Sequence, residues 1–157
     1  MNDKKDEQTL YATQDGEIKT IEDISDSVFA MKALGDGICV YPTNGHVYAP
    51  MSGTLKVVAD TKHAYGIMGE DGLEVMIHVG IDSVELNGKG ITSYVSTGIE
   101  VEVGTILCII DVEIFKSNNI STETAVVVTN KDDFEINHKY LGSAIAGETP
   151  IFTYIKK

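Results

Sequence analysis

Arginine and tryptophan are absent from this 157-residue chain: all 12 of its cationic residues are lysines, against 24 Asp and Glu. The formal net charge of −12 excludes the basic surface that a nucleic-acid-binding protein needs to displace counterions from phosphates. Without arginine the chain also lacks the planar fork that binds carboxylates and phosphates through two parallel hydrogen bonds. Any anion must therefore be bound by backbone N–H groups, lysine, histidine or the cations of a partner.

Long apolar runs are missing as well, so no segment is predicted to span a membrane. The first residues, MNDKKDEQT, contain no apolar stretch of the kind that a signal peptide requires. The two cysteines, Cys39 and Cys108, lie within apolar runs and are expected to be buried, reduced thiols rather than a disulfide pair. These features predict a cytoplasmic protein with a flexible leader over residues 1–10 and a single domain over residues 11–157.

Turn dipeptides divide the chain into short β-type segments. Asp-Gly and Asn-Gly pairs recur along the sequence and supply the positive φ values that tight hairpins need. Between them lie bursts of β-branched and aromatic residues, at 38–41, 55–58, 75–79, 106–110, 125–128 and 151–154. This spacing is typical of an all-β antiparallel sandwich or barrel. Brief helical turns are expected only within 21–33 and 111–116, with Asp23, Asp26 and Asp111 as candidate N-caps.

Two segments share a layout that suggests internal duplication. In Ala12–Gly16 and again in Ala49–Gly53, a glycine four residues after an alanine opens a β-type run. Glycine before a strand is common, however. The pattern therefore leaves open whether the sandwich consists of two similar halves.

The four histidines fall into two groups. His46 follows an Asn-Gly turn and His138 lies in a polar stretch, so both are expected to be exposed and without chemical function. His78 ends an apolar strand, and His63 opens the β-type segment that precedes it. The turn at residues 70–72 joins these segments as a predicted antiparallel hairpin. In that register position 63 pairs close to position 78, which places the two imidazoles on one face of the sheet.

A pair of adjacent imidazoles is compatible with two chemistries. One is zinc binding, for which Asp60 or Asp82 is a candidate third ligand because two histidines are too few. The other is phosphoryl transfer, in which a neutral imidazole is the nucleophile and its neighbour donates a hydrogen bond to the phosphoryl oxygens. Gly80, two residues beyond His78, leaves the backbone open to close approach. The residues alone leave both chemistries open, together with the reading of two unrelated structural histidines.

Two stretches around these histidines resemble a known family. Residues 61–67, TKHAYGI, resemble its T-x-H-A-[FY]-x-I segment. Residues 72–84, GLEVMIHVGIDSV, resemble its G-[VL]-E-[VIL]-x-[IV]-H-[FIV]-G-[IL]-D-T-V signature, with Ser83 in place of the threonine. From about Tyr11 to Lys157 the chain is similar to the glucose-type enzyme IIA domain of the bacterial phosphotransferase system, with shorter matches at 28–30, 35–37, 49–53 and 147–150.

The resemblance implies an antiparallel β-sandwich with internal duplication that works as a phosphocarrier without a cofactor. Such a domain accepts a phosphoryl group from the phosphocarrier protein HPr and passes it to a cysteine of a IIB domain, which phosphorylates the sugar. The resemblance assigns His78 as the acceptor, through Nε2, and His63 as the residue that stabilises the phosphoryl group. It also implies that Thr61 orients His63 and that the carbonyl of Gly80 holds the Nδ1–H of His78.

The resemblance further implies a surface on which both partners dock. An apolar ring around the histidines would exclude water and so slow hydrolysis. Acidic residues at its rim would pair with cations of the partner and steer the encounter. The ring is expected to contain Phe29, Ala33, Leu34, Val79 and Val84, and the rim Asp26 and Asp82. The protein is expected to be a monomer.

Several alternatives stay open at this stage. Family members in some bacteria bind permeases or kinases when unphosphorylated, so a regulatory role through the same face is the second candidate function. A zinc ion shared by His63, His78 and a partner's ligand is a further candidate. A zinc metallopeptidase of similar fold would require an H-x-H pair together with an H-x-x-x-D segment, and the sequence contains no H-x-H pair. The sequence does not identify the sugar, and the polar leader after Met1 favours a free protein over a module of a fused permease.

Overall fold

Antiparallel strands dominate the computed structural model, which describes residues 6–157. Two short α-helices, α1 (Ser27–Ala30) and α2 (Val112–Ser117), connect strands. All six predicted β-type segments lie within strands, which confirms the all-β antiparallel fold class. The strands are β1 (Gln8–Tyr11), β2 (Gly16–Thr20), β3 (Asp36–Pro42), β4 (His46–Tyr48), β5 (Gly53–Val58), β6 (Ala64–Met68), β7 (Glu74–Val79), β8 (Ile91–Ser93), β9 (Glu100–Val101), β10 (Ile106–Ile110), β11 (Thr124–Val128), β12 (Phe134–Lys139), β13 (Gly142–Ala144) and β14 (Pro150–Lys156).

The strands form one large sheet and two small ones. The large sheet has eight strands in the order β13-β2-β3-β11-β7-β6-β5-β9, and the small sheets have the orders β1-β14-β12 and β4-β10-β8. Side chains alternate between the two faces of each strand. Along β7, Val75, Ile77 and Val79 are therefore buried in the main core, whereas Met76 and His78 lie on the outer face of the large sheet.

The topology confirms the internal duplication. One half consists of β1–β3 and β11–β14, and the other half, β4–β10, is inserted between β3 and β11. Within the large sheet, β13-β2-β3-β11 of the first half mirror β9-β5-β6-β7 of the second. The small sheets β1-β14-β12 and β4-β10-β8 correspond in the same way. The sheet is therefore built from two similar units that meet between β11 and β7.

Hydrogen bonds at the two shared Ala-to-Gly segments repeat as well. The N–H of Ala12 donates to the carbonyl of Thr149 at 2.9 Å. The N–H of Ala49 donates to the carbonyl of Thr105 at 2.8 Å. Each alanine thus connects its half to the loop before the central strand of the small sheet, so the repeated sequence layout coincides with a repeated backbone contact.

The two halves differ in how the outer face of the large sheet is covered. In the first half, the connection between β2 and β3 folds into a 3-10 turn (Ile21–Asp23) and α1. Their apolar side chains pack on the outer face of β3 and β11. The resulting small apolar cluster contains Ile21, Ile24, Phe29, Cys39, Ala125 and Val127. The equivalent connection between β5 and β6 spans only residues 59–63 and contains no helix. The outer face of β6 and β7 is consequently left open.

Both helices begin at an aspartate that the sequence indicated. Asp26 and Asp111 each accept hydrogen bonds from two backbone N–H groups in the first turn of α1 and α2. Asp23 is not a cap: it lies within the 3-10 turn, where its carboxylate accepts a hydrogen bond from Thr20 at 3.2 Å. No helix within residues 6–157 is long and apolar enough to cross a membrane.

The leader predicted over residues 1–10 overlaps the first strand. Of the expected leader, residues 1–5 lie outside the described part of the chain, but Gln8, Thr9 and Leu10 belong to β1 and pair with β14. Leu10 is 1% exposed. The prediction failed at this boundary because Leu10 is the only buried residue of β1, so the strand has a largely polar sequence.

Both cysteines are free and buried, as predicted. Burial raises the pKa of Cys39 and of Cys108 to about 12. The two thiols are therefore protonated near neutral pH, and thiols in this state are poor nucleophiles.

Candidate functional site

His78 lies near the end of β7, on the open outer face of the large sheet. Its partners across the strands are Ala64 on β6 and Ala125 on β11, so small side chains flank it on both sides. The imidazole is half-buried, and the ring of Phe29 in α1 packs against it with centroids 5.1 Å apart. A rigid strand therefore presents this side chain, and an aromatic ring shields one side of it.

The turn after β7 determines which nitrogen of His78 carries the proton. Nδ1 of His78 lies 3.0 Å from the carbonyl oxygen of Gly80. Because a carbonyl only accepts hydrogen bonds, Nδ1 carries the hydrogen, and Nε2 of the neutral ring keeps its lone pair. Gly80 has a φ of +83°, and an added Cβ would lie 2.9 Å from both the Phe115 ring and the Ser83 side chain. The close turn that holds His78 thus requires glycine.

The turn between β5 and β6 brings His63 beside His78. Ala64 pairs with His78, one residue from the predicted register, and the carbonyl of His63 accepts a hydrogen bond from the N–H of Val79 at 2.7 Å. The two imidazole rings meet edge to face, with centroids 5.0 Å apart and an angle of 81° between their planes. Nδ1 of His63 lies 2.6 Å from Oγ1 of Thr61. When that hydroxyl donates to Nδ1, Nε2 of His63 carries a hydrogen that it can donate to a group on His78.

Burial lowers the pKa of both imidazoles below the usual range for histidine. Proximity to His78 lowers the pKa of His63 further. For His78, the hydrogen bond to Gly80 and the carboxylates of Asp26 and Asp82 act in the opposite direction without outweighing burial. Both rings are consequently neutral near pH 7. A neutral His78 has the free lone pair of a nucleophile, and a neutral His63 has one N–H to donate.

The predicted apolar ring is only partly exposed. Ala33, Leu34 and Val84 are exposed, the latter two by 44% and 50%. Phe29 and Val79 are buried, with 3% and 0% exposure. Val79 faces the main core because side chains alternate along β7, and Phe29 fills the cluster beneath α1. These two residues therefore support the surface from below, which corrects that part of the prediction.

Two further apolar residues extend this surface. Val28 and Met31 are 45% and 72% exposed. They stand three residues apart, so they share the solvent side of the α1 region. That spacing within 21–33 is the signal that could have identified them. Of the predicted acidic rim, Asp82 is exposed, whereas the half-buried Asp26 also caps α1.

His46 and His138 lie in the two small sheets, on β4 and β12 respectively. Both residues are exposed, as expected. Nδ1 of His138 is 3.6 Å from the carboxylate of Glu7. Neither residue belongs to the paired imidazoles of the large sheet.

Glu123 is a buried acidic residue near this site that the sequence reasoning missed. It is 8% exposed and precedes β11, two residues before Ala125, which pairs with His78. Its carboxylate accepts hydrogen bonds from Ser25 and Ser121. Ser25 is 98 residues away along the chain, so no local sequence pattern marks this contact.

Metal binding was the alternative chemistry for the histidine pair. Within residues 6–157, no group of three or more His, Cys, Asp or Glu side chains is placed to hold a metal ion. Asp60 and Asp82 therefore do not complete a site with the two imidazoles. Zinc shared by His63, His78 and a ligand from a partner stays a prediction.

The comparisons with known proteins agree with this geometry. The model of the family "phosphoenolpyruvate-dependent sugar phosphotransferase system, EIIA 1" matches residues 8–134. A "PTS system glucose-specific EIIA component" from Halalkalibacterium halodurans is 41% identical over 148 residues, which are 94% of this chain and 86% of that protein. A protein of the same description from Buchnera aphidicola is 38% identical over 152 residues, 97% of this chain and 93% of its own length.

Longer relatives and a solved structure match as well. The "PTS system glucose-specific EIICBA component" of Streptococcus pneumoniae is 42% identical over 123 residues, which are 78% of this chain but only 17% of that protein. The solved structure of glucose permease IIA from Mycoplasma capricolum superposes with a TM-score of 0.89 at 30% identity, covering 94% of this chain and 96% of that one. The similarity thus extends over nearly the whole chain in both sequence and fold.

Proposed function

This chain belongs to the phosphoenolpyruvate-dependent sugar phosphotransferase system EIIA 1 family, and from that premise we propose that His78 accepts a phosphoryl group from phospho-HPr on Nε2 and passes it to a cysteine of a IIB domain. The chain is a phosphocarrier of the sugar phosphotransferase system. The names of the relatives place those proteins in the PTS system as EIIA components, and they give no support to the regulatory alternative.

The arrangement of two contacts around the His78 ring carries its assignment as the phosphoryl acceptor. Its Nδ1 is held by the carbonyl of Gly80 at 3.0 Å, while the ring of His63 lies 5.0 Å away, centroid to centroid. The first contact directs the lone pair of the ring to Nε2, and the second supplies a hydrogen-bond donor beside it. A phosphoryl-transfer site needs little more than positioning and charge stabilisation, which these two contacts provide.

The relay consists of two displacements at phosphorus. In the first, the lone pair of His78 Nε2 attacks phosphorus while the bond from phosphorus to the HPr donor atom breaks, and the donor keeps that electron pair. In the second, a cysteine thiolate of IIB attacks phosphorus, and the electron pair of the broken N–P bond returns to Nε2. In both steps the Nδ1–H of His78 keeps its hydrogen bond to the carbonyl of Gly80. The Nε2–H of His63 donates a hydrogen bond to the phosphoryl oxygens.

The absence of arginine suits a relay. A carrier that bound phosphohistidine through fixed cations would hold the phosphoryl group too tightly to release it. Two neutral imidazoles avoid such a trap, and the positive charge needed during transfer comes from the partners. The acidic surplus of the chain, net −12, favours association with basic partner faces.

The docking surface for both partners is proposed to surround the histidine pair. Its exposed apolar residues are Val28, Met31, Ala33, Leu34 and Val84. Asp26 and Asp82 supply negative charge at its edge. A patch of this kind fits brief encounters with HPr and IIB, in which rapid release matters as much as binding.

The sugar, the location and the oligomeric state are further parts of the proposal. The relatives from Halalkalibacterium halodurans and Buchnera aphidicola are named glucose-specific, which supports glucose as the transported sugar. A cytoplasmic monomer is the form in which the chain would meet both HPr and a permease domain. Transfer to IIB domains of glucose, N-acetylglucosamine and β-glucoside permeases, measured side by side, tests the choice of sugar.

Reconstituted phosphotransfer tests the function. The protein is incubated with enzyme I, HPr and labelled phosphoenolpyruvate, and a IIB domain is then added. We expect an acid-labile label on the wild type that moves to IIB, and no label on His78→Ala. The exposed histidine variant His46→Ala is the matched control and should carry label like the wild type. Label that persists on His78→Ala would contradict the proposal.

A further inference from the structure

Glu123 combines two properties that are costly to maintain in a protein interior. The residue is 8% exposed, and in residues 6–157 no lysine or histidine lies within ion-pair distance of its carboxylate. Hydroxyl and N–H donors satisfy it instead: Ser25 through its N–H (3.1 Å) and its Oγ (3.0 Å), and Ser121 through its Oγ (2.7 Å). Burial alone raises the pKa of Glu123, but these hydrogen bonds outweigh it and lower the pKa, so the side chain is ionised near neutral pH.

The backbone around Glu123 holds the turn that orients His78. The carbonyl of Glu123 accepts a hydrogen bond from the N–H of Gly80 at 3.0 Å. The carbonyl of Ser121 accepts one from the N–H of Ile81, also at 3.0 Å. Gly80 is the residue whose carbonyl accepts the Nδ1–H of His78. One segment, residues 121–123, thus fixes the group that selects the tautomer of the nucleophile.

The side chain of Glu123 anchors the segment before α1, the helix whose Phe29 ring packs against His78. Ser25, its partner, directly precedes Asp26, the cap of α1, and α1 carries Phe29, whose ring packs against His78. A helix of four residues is too short to be stable by itself. The position of Phe29 therefore depends on anchors at the beginning of α1, and the Ser25–Glu123 contacts are such an anchor.

We propose that Glu123 is a positioning residue for the phosphoryl acceptor, because its carboxylate fastens the α1 segment to the strand end that also holds the His78–Gly80 contact. This inference rests on the proposed function of His78. Glu123 touches neither the imidazole nor the phosphoryl group. Its carboxylate acts through Ser25 and Phe29, whereas its backbone carbonyl holds Gly80. Loss of its carboxylate releases Ser25 and lets Phe29 move from the ring of His78.

Two substitutions separate this role from simple stability. Glu123→Ala removes both acceptor oxygens of the side chain and keeps the backbone carbonyl that binds Gly80. Glu123→Gln keeps the side-chain volume and one acceptor oxygen. The matched control is Asp71→Asn, because Asp71 accepts hydrogen bonds from the Tyr154 hydroxyl and the Leu73 N–H near the opposite end of β7. All three variants lose an acidic group from a hydrogen-bonded position, but only the first two are connected to the acceptor.

The experiment combines NMR of the His78 ring with single-turnover acceptance of phosphate from phospho-HPr. Misplacement of reacting groups by about 1 Å can cost about 100-fold in rate, so we expect a loss of about 10- to 100-fold for Glu123→Ala, a smaller loss for Glu123→Gln and no loss for Asp71→Asn. The ring signals of His78 should lose the shift caused by Phe29 in the same order. Folded Glu123 variants with wild-type His78 signals and wild-type rates would overturn the inference. Should Glu123→Ala fail to fold, the result for Glu123→Gln decides. Because the NMR signature needs no phosphotransfer, it distinguishes failure of this inference from failure of the relay itself.

Discussion

The rings of His63 and His78 meet edge to face with centroids 5.0 Å apart, although one residue lies in a turn and the other in a strand. Each ring has its Nδ1 occupied: that of His63 by Thr61 at 2.6 Å, and that of His78 by the carbonyl of Gly80 at 3.0 Å. Each ring therefore has its Nε2 left for interaction with a phosphoryl group. In the relay that we propose, Nε2 of His78 attacks phosphorus and the Nε2–H of His63 donates a hydrogen bond to the phosphoryl oxygens.

Removal of the His63 donor should slow the relay without removing the acceptor. Loss of one hydrogen-bond donor to a charge that develops in a transition state typically costs about 10²–10³ in rate, so we expect that loss for His63→Ala in single-turnover transfer from phospho-HPr. His63→Gln keeps an N–H group and should accept phosphate faster than His63→Ala.

The second half-reaction provides the control for this prediction. Onward transfer to IIB should be impaired in both His63 variants, because a neutral amide cannot share a proton as an imidazole does. Wild-type rates in both steps for His63→Ala would remove His63 from the mechanism and leave a site with one histidine.

The histidine pair should make folding stability depend on pH. The pKa of each ring is lowered by burial in the folded protein, whereas in the unfolded chain it is about 6.5. The unfolded chain therefore binds more protons as the pH falls through about 6.5, and the free energy of unfolding falls with it. The decline should level off once the pH is below the folded-state pKa values.

Urea denaturation from pH 8 to pH 5 measures this dependence. Subtraction of the curve for a His63→Gln/His78→Gln variant cancels the titration of the carboxylates and isolates the contribution of the pair. A wild type that gains stability relative to this variant as the pH falls would show that the rings are stabilised in their charged form, contrary to the account.

The turn at Gly80 should tolerate no side chain. Gly80 and Gly98 both have positive φ, +83° and +99°, so alanine at either position costs about 1–2 kcal/mol in backbone strain. Only at Gly80 does the added carbon come within 2.9 Å of other atoms, whereas nothing lies within 4 Å at Gly98. Overpacking should add about 1–3 kcal/mol to the destabilisation by Gly80→Ala. Equal free energies of unfolding for the two alanine variants would contradict the packing described for this turn.

Local patterns were sufficient to predict six apolar strand segments and the histidine pair, because each depends on residues close together in sequence. The hairpin that joins β6 and β7 is an example: its register was predicted to within one residue from the turn position alone. The burial of individual side chains was harder to predict. The resemblance placed Phe29 and Val79 in the docking ring, but their burial depends on how α1 covers the sheet and on which face of β7 meets the core.

Contacts between distant segments could not be predicted in this way. Glu123 and Ser25 are brought together only by the pairing of β11 with β3 and β7 and by the folding of the segment before α1. The overlap of the predicted leader with β1 has a similar cause, since β1 is defined by its pairing with β14 near the other end of the chain. In both cases the contact depends on how distant segments pair, which the composition of either segment does not indicate.

The position of the phosphoryl group on the imidazole tests the central claim most directly. The protein is phosphorylated by phosphoenolpyruvate, enzyme I and HPr, and the ring nitrogens of His78 are observed by two-dimensional ¹H–¹⁵N NMR with coupling to ³¹P. Because the carbonyl of Gly80 holds the Nδ1–H at 3.0 Å, the account predicts phosphorus on Nε2 of His78 and an intact hydrogen on Nδ1. Phosphorus on Nδ1 of His78, or on His63, would contradict it.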